Sequence, residues 1–237
     1  QPTVQDLLDA NRVLKYLKLK PLSLTYRRLQ HPWRLVAISD SAFKSDGTDC
    51  LAMRSGVIAL CNKEGIVKGI NDLQVLEFVS KKQSKVCRST YAAELHSGLD
   101  LVGLAMVINA ALCEVLQGPQ TAANLVAMQD AGSMPLDLDL VIDAKSVWVS
   151  ASADEPKCSD SAMMLHLMKL REMLQGVIRR IIWCDTRSML ADGLTKGSIE
   201  RDSLRRLASQ GQWEIQQELE VFEYQRSRAA VPEQQDA

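Results

Sequence analysis

The chain has 237 residues, of which 46% are hydrophobic and 24% charged, and its formal net charge at pH 7 is −1. This composition is typical of a globular protein with room for one large domain and extensions. The low net charge argues against binding nucleic acid through overall positive charge, although a local basic patch could still do so. The longest apolar stretch, residues 100–114, is shorter than the ~20 residues of a membrane-spanning helix.

The cysteines and the first residues indicate a cellular compartment. The six cysteines are scattered and form no CxxC pair, which argues against a disulfide scaffold and against paired metal-ligand spacing. No charged and then apolar leader is visible at the start, and residue 1 is Gln rather than Met, so we expect a piece of a longer protein. We therefore expect an intracellular protein that is not secreted, has no membrane partner and keeps its thiols reduced and mostly buried.

An amphipathic helix is predicted over residues 4–19. Thr3 can cap its N-terminus, apolar residues recur at helical spacing, and Pro21 ends it. We expect residues 21–32 to form a connector to the next element.

Three strands are predicted next, over residues 34–40, 53–61 and 73–79. The turn-like residues 62–65 separate the last two. Three strands in quick succession predict an antiparallel meander.

Helices and strands then alternate. The predicted helices span residues 90–117, 146–150, 160–175 and 189–195, and the predicted strands span residues 138–143 and 177–183. Strands that alternate with helices pair in parallel, so the whole sheet is expected to be mixed. Residues 120–137 are predicted to form a loop or a short helix, and residues 198–237 a charged helix and an irregular tail.

Two of the predicted strands end in a carboxylate, Asp40 and Asp143. Ligand sites in open α/β sheets lie beyond the carboxyl ends of parallel strands, so neighbouring strands would bring these two acids together. Glu94 in the first turn of the long helix and Asp192 in the last short helix could join them. Metal-free carboxylates so close repel one another. Two Mg²⁺ ions about 4 Å apart would remove this repulsion and could catalyse the hydrolysis of a phosphodiester. With 29 acidic residues in the chain, such spacing can also arise by chance.

Other charged and aromatic side chains allow two interpretations each. The basic residues Lys81, Lys82, Lys85 and Arg88 could bind nucleic acid as a local patch, or could form a solvated loop before the long helix. Lys145 could contact a phosphate or be solvated.

Two tryptophans and His166 are interpreted mainly as packing residues. Trp148 and Trp183 are expected in the core, although an exposed Trp could stack on a base. His166 is expected to pack or cap rather than bind a ligand, and no partner is predicted for His96.

Four further aspartates are interpreted as surface charges: Asp46, Asp49, Asp137 and Asp139. Asp139 alternates with Val141 and Asp143 along one strand, so it could instead share the face of Asp143.

Short motifs occur in order along the chain. They are ISDSAF (38–43), RSG (54–56), SKKQ (80–83), RSTYAAEL (88–95), VIDAKS (141–146) and LADGLTK (190–196). Together they resemble the ribonuclease H region of copia-type LTR retrotransposons, over residues 3 to about 197, and RSTYAAEL is the most distinctive of them. Residues 3–18 resemble the end of the preceding reverse transcriptase section.

The resemblance implies a ribonuclease H-like α/β fold, with a mixed five-stranded sheet flanked by helices and an N-terminal helical extension. It divides the chain into the end of the reverse transcriptase section (1–30), the ribonuclease H-like domain (31–197) and a C-terminal helix and tail (198–237). It also implies a location in a cytoplasmic particle or the nucleus, with the reverse transcriptase section as a partner.

The implied activity is hydrolysis of the RNA strand of RNA–DNA hybrids during reverse transcription. Two Mg²⁺ ions, with Mn²⁺ as a substitute, would be held by the four catalytic acids, Asp40, Glu94, Asp143 and Asp192. The residues expected to bind the hybrid are Lys81, Lys82, Lys85, Arg88 and Lys145.

The chain departs from the family pattern at several places. Ala144 replaces the usual Asn, Lys157-Cys158 replaces Lys-His, and the connection over residues 184–187 lacks the loop histidine of cellular ribonucleases H. His166 does match a family histidine. An alternative is therefore a degenerate module that binds nucleic acid or serves as a structural appendage of a polymerase.

Overall fold

The computed structural model describes residues 2–19, 21, 23–43, 51–158, 160–195 and 202–224. Asp46, Asp49 and Cys50, for which the sequence suggested surface charges and a reduced thiol, lie outside these residues. The other five cysteines are free, and four of them are buried, as expected.

Seven strands and seven helices are found in the described residues. The strands are β1 (Arg34–Ala42), β2 (Leu51–Cys61), β3 (Gly69–Val86), β4 (Asp137–Ile142), β5 (Ile178–Cys184), β6 (Gln212–Ile215) and β7 (Leu219–Glu223). The helices are α1 (Val4–Leu19), α2 (Thr90–Gln117), α3 (Ala122–Asp130), α4 (Lys145–Ser152), α5 (Met164–Gln175), α6 (Asp192–Thr195) and α7 (Asp202–Gln210). Short 3₁₀ turns cover Ser161–Met163 and Thr186–Ser188.

The strands form one mixed sheet in the order β6-β3-β2-β1-β4-β5-β7. β1, β2 and β3 are the predicted antiparallel meander, and β1, β4 and β5 pair in parallel. The chain is therefore a mixed α/β protein, as predicted.

The prediction of five strands is wrong. β6 and β7 add one antiparallel strand to each edge of the sheet, in the segment that was expected to be an irregular tail. These strands have only four and five residues, and only β6 alternates half-buried and buried side chains; their pairing with β3 and β5 supplies the hydrogen bonds that define them.

The two faces of the sheet are covered by different helices. α2, α4 and α5 pack on one face around residues such as Leu35, Leu138 and Leu167. On the other face, the fully buried Trp213 packs with residues of the segment before α6 and of α7, such as Leu190 and Leu207. Both faces are apolar, which is why β1 and β4 are almost continuously buried.

α2 begins and ends as the sequence predicts. The hydroxyl of Ser89 accepts a hydrogen bond from the backbone N–H of Ala92 at the start, and Gly118 follows the last turn with φ +88°. By length and composition α2 could cross a membrane, although the apolar stretch of residues 100–114 alone is too short. Core helices have the same composition; residues 91–98 of α2 are buried, whereas only 28% of its 18-residue apolar stretch is buried.

Asp139 is buried, so its interpretation as a surface charge is wrong. Its side chain is 0% exposed and accepts hydrogen bonds from Arg34, with N–O distances of 2.7 and 3.0 Å, and from Arg180 at 3.1 Å. Gly65, with φ +71°, permits the approach of Arg180, because a Cβ at this position would lie 1.6 Å from the guanidinium. Asp137 is half-exposed and pairs with Arg34, in agreement with a surface position.

The N-terminal segment has two parts with different contacts. α1 has no buried residue. The connector is attached to the C-terminal segment: Thr25 donates its N–H to the carbonyl of Ala208 at 2.7 Å, and Arg27 donates to the carbonyl of Gln210 at 2.6 Å. Leu29 is buried. Among the described residues of this segment, the first buried side chain is therefore Leu29, within the predicted connector.

Candidate metal centre

Asp40 and Asp143 lie at the same edge of the sheet. β1 and β4 are parallel neighbours whose register pairs Ser39 with Ile142, so the next residues, Asp40 and Asp143, are adjacent. The expectation that these two strand ends meet is confirmed. Asp40 is buried at 1% exposure, and its carbonyl accepts a hydrogen bond from the hydroxyl of Ser97 in α2 at 2.9 Å.

Asp192 joins this pair from the first turn of α6. One carboxylate oxygen of each aspartate lies within 4.8 Å of the others. Ser55 and Ser80 fix the position of α6, since their hydroxyls donate to the carbonyls of Ala191 and Leu194 at 2.9 and 2.8 Å. The site is thus built from three elements that are far apart in the sequence.

Glu94 faces Asp40 and Asp143 from α2, but it is not one of the three acids within 4.8 Å. The side chain is 6% exposed. Burial, followed by the charges of Asp40 and Asp143, raises the pKa of Glu94 to about 9, while Ser41 lowers it in part. Glu94 is therefore a neutral acid at pH 7 in the metal-free protein.

The donor set fits a hard divalent cation. Three aspartate carboxylates supply the oxygen ligands that Mg²⁺ prefers. Among the described residues, the buried Oε2 of Glu94 has no hydrogen-bond partner. A buried polar atom without a partner is costly, and a cation with its bound waters would satisfy this atom.

Two threonine hydroxyls donate to the aspartates. Oγ1 of Thr195 lies 2.5 Å from Oδ2 of Asp40, and Oγ1 of Thr186 lies 3.0 Å from Oδ2 of Asp143. The indole N–H of Trp183 donates to the carbonyl of Asp143 at 2.8 Å. Neither threonine is predicted as a site residue from the sequence, and only Thr195 has a signal there, since it belongs to the LADGLTK motif.

A cleft of about 530 Å³ opens beside the acids. Its lining includes the acids Asp40, Glu94 and Asp143 and the aromatic residues Phe43 and Tyr91.

The predicted basic residues lie in the last part of β3 and just before α2. Lys81, Lys82 and Lys85 belong to β3 rather than to a loop, and these three side chains and Arg88 are exposed. Lys81 lines a cavity together with Asp100 of α2. Because neighbouring residues of a strand point to opposite faces, Lys82 faces away from α2. Arg88 immediately precedes the N-terminus of α2.

Lys145 has close neighbours in the structure. Its ammonium lies 4.4 Å from the ring centroid of Trp148 and 4.1 Å from that of Trp183, and it forms an ion pair with Glu220 of β7. Both tryptophans are half-buried. Contact of Lys145 with a phosphate would therefore compete with Glu220.

His96 and His166 contact each other, although the sequence predicts no partner for His96. Their ring centroids are 4.5 Å apart in an edge-to-face arrangement. This contact agrees with the interpretation of His166 as a packing residue.

Comparison of the chain with models of known protein families finds no match, and comparison with curated proteins finds none. The functional conclusion therefore depends on the geometry of the site and on the sequence motifs.

Proposed function

We propose that the protein is a ribonuclease H-like endonuclease of a retrotransposon, which hydrolyses the RNA strand of RNA–DNA hybrids during reverse transcription. The observation that carries the proposal is the meeting of Asp40, Asp143 and Asp192 at the carboxyl ends of two parallel strands. The sheet supports it as well. Its five central strands have the antiparallel meander and the parallel pairs that the motif order implies, with β6 and β7 as additions.

Each acid has a distinct part in the proposed reaction. Asp40, Asp143 and Asp192 would hold the cations, and Glu94 would approach from α2 and complete the site. Mg²⁺ ions held by these carboxylates would supply Lewis-acid activation of a water and neutralisation of the charge on the leaving oxygen. Hydrolysis leaves 5′-phosphate and 3′-hydroxyl ends.

Substrate binding is assigned to side chains around the cleft. Contacts to 2′-hydroxyl groups across the wide minor groove would distinguish the RNA strand from DNA. Lys81, Lys85 and Arg88 beside α2 would contact the backbone of the other strand. The exposed α1 would be the end of the reverse transcriptase section, the expected partner in the same polyprotein.

The test is cleavage of a labelled RNA–DNA hybrid in Mg²⁺ or Mn²⁺, with EDTA as the control. We expect the RNA strand alone to be cut, and only with metal. Cutting that persists in EDTA, or that attacks both strands equally, would contradict the mechanism.

Asp143→Asn is the matching variant. It should abolish cleavage, because the amide is a poor ligand for Mg²⁺, yet leave the metal-free protein as stable as the parent or slightly more so, because one charge of a repelling cluster is gone. Asp137→Asn, on the exposed opposite end of the same strand, should cut normally. An Asp143→Asn protein that melts well below the parent in EDTA and still cuts would assign this carboxylate a structural role.

A further inference from the structure

Thr195 and Thr186 are arranged similarly, each beside a different aspartate. Thr195 is the last residue of α6, and its hydroxyl is 2.5 Å from Oδ2 of Asp40 but 3.3 Å from the carbonyl of Asp192. The shorter distance identifies the carboxylate as the acceptor. Thr186 stands in the turn after β5 and donates to Oδ2 of Asp143 at 3.0 Å.

Both threonines are held in place by other parts of the fold. Ser80 of β3 donates to the carbonyl of Leu194, which fixes the end of α6 next to Thr195. The side chain of Asp185 caps the turn that contains Thr186. The backbone N–H of Asp185 donates to the carbonyl of Glu218, just before β7. Each hydroxyl therefore approaches its carboxylate from a fixed direction.

A hydrogen-bonded carboxylate is a better-ordered ligand. A carboxylate has about four acceptor positions, so one hydroxyl leaves the others open to a cation. A fixed rotamer means that less side-chain freedom is lost when the metal binds. Loss of such a supporting hydrogen bond typically weakens metal affinity 10- to 100-fold.

We propose that Thr195 and Thr186 are positioning residues, which hold Asp40 and Asp143 in the orientation that binds the divalent cations. This inference deepens the proposed function and rests on it for the identity of the metal. It requires no contact between either threonine and the substrate.

The experiment measures metal binding without nucleic acid. The parent protein, Thr195→Val and Thr186→Val are melted in EDTA and in increasing Mn²⁺, and the metal concentration that gives half of the maximal stabilisation is recorded. We expect this concentration to rise about tenfold or more in both variants. Thr195→Ser, which keeps the hydroxyl, should restore the parent value.

Thr121→Val is the matched control. Thr121 also uses its hydroxyl in a hydrogen bond, accepting from the N–H of Asn124 at the start of α3, and it is not among the residues that line the cleft beside the acids. Its loss should lower the melting temperature in EDTA without changing the metal concentration required. Thr186 is exposed, so its variant tests the proposal even if Thr195→Val does not fold.

The outcomes separate this inference from the proposed function. If both valine variants bind Mn²⁺ like the parent, the positioning role is wrong, whether or not hybrid is cut. If the parent binds metal and the variants bind it weakly while no hybrid is cut, the positioning role stands and the assigned reaction is wrong.

Discussion

Glu94 shows how one buried acid links the site to the stability of the whole chain. The carboxyl group is surrounded by protein and faces two aspartates, so its charged form is disfavoured in the folded state. In the unfolded chain the same group ionises at its ordinary pKa of 4.5.

This difference predicts that the metal-free protein loses stability as the pH rises from 4.5 to about 9. Within that window the folded state holds a proton that the unfolded state has released, so each pH unit favours unfolding by at most about 1.4 kcal/mol. Urea titrations in EDTA at several pH values would measure the slope.

Glu94→Gln should reduce that slope, since glutamine resembles the neutral acid and does not titrate. Glu155→Gln, at an exposed position, should keep the slope of the parent. An unchanged slope in Glu94→Gln would show that Glu94 ionises normally in the folded protein.

Asp139 has a structural role at the opposite end of β4 from the acids. It is enclosed by Arg34 and Arg180, and removal of its charge leaves two guanidinium groups with a neutral neighbour. Asp139→Asn should therefore reduce the free energy of unfolding by about 3–5 kcal/mol.

The matched variant Asp137→Asn removes a half-exposed partner of the same Arg34 and should cost less than about 1 kcal/mol. Folded Asp139→Asn should still cleave hybrid, since about 13 Å of strand separates it from Asp143. Denaturant titration and the cleavage assay together check both statements, and equal stability of the two variants would contradict the buried ion-pair cluster.

At the scale of elements, α1 and the connector differ in what they add to stability. A 16-residue helix without buried residues gains little from tertiary packing, so deletion of residues 1–19 should leave the melting temperature within a few degrees of the parent. Deletion of residues 1–30 should lower it further, because it removes buried Leu29 and the hydrogen bonds of Thr25 and Arg27.

Gly211→Ala tests the same attachment without shortening the chain. Gly211 has φ +66°, and a Cβ there would lie 2.6 Å from the carbonyl oxygen of Thr25. The substitution should destabilise the protein by about 1 kcal/mol or more, since both the backbone and the contact are strained. If the 1–30 deletion melts like the 1–19 deletion, the connector contributes nothing to the fold.

At the scale of the whole molecule, a net charge of −1 leaves hybrid binding to local contacts. We expect weak, salt-sensitive binding, whose dependence on salt reports the number of phosphates neutralised. Lys81→Ala with Lys85→Ala should weaken binding and reduce the slope of log affinity against log salt by up to about two.

Lys82→Ala is the control for this prediction, because Lys82 points to the other side of β3. It should change the slope less than the double variant does. Filter binding or fluorescence anisotropy at several salt concentrations measures both, and equal effects would indicate that the face of the strand is irrelevant.

Local patterns in the sequence predicted much of the fold and most of the acids. The apolar runs that end at Asp40 and Asp143, and the capped helix that begins just before Glu94, depend on neighbouring residues, so their type could be predicted without a structure. The parallel pairing in the second half of the chain followed from the alternation of helices and strands, whereas the adjacency of β1 and β4 was a condition of the predicted site that the structure meets.

The remaining features depend on residues that are distant in the sequence. β6 and β7 are strands because β3 and β5 offer them unpaired edges, and Asp139 is buried because Arg34 and Arg180, 105 and 41 residues away, neutralise it. The hydroxyl of Thr195 reaches Asp40 across 155 residues. Such contacts arise only when the chain is folded, because they depend on which elements pack together rather than on local propensity.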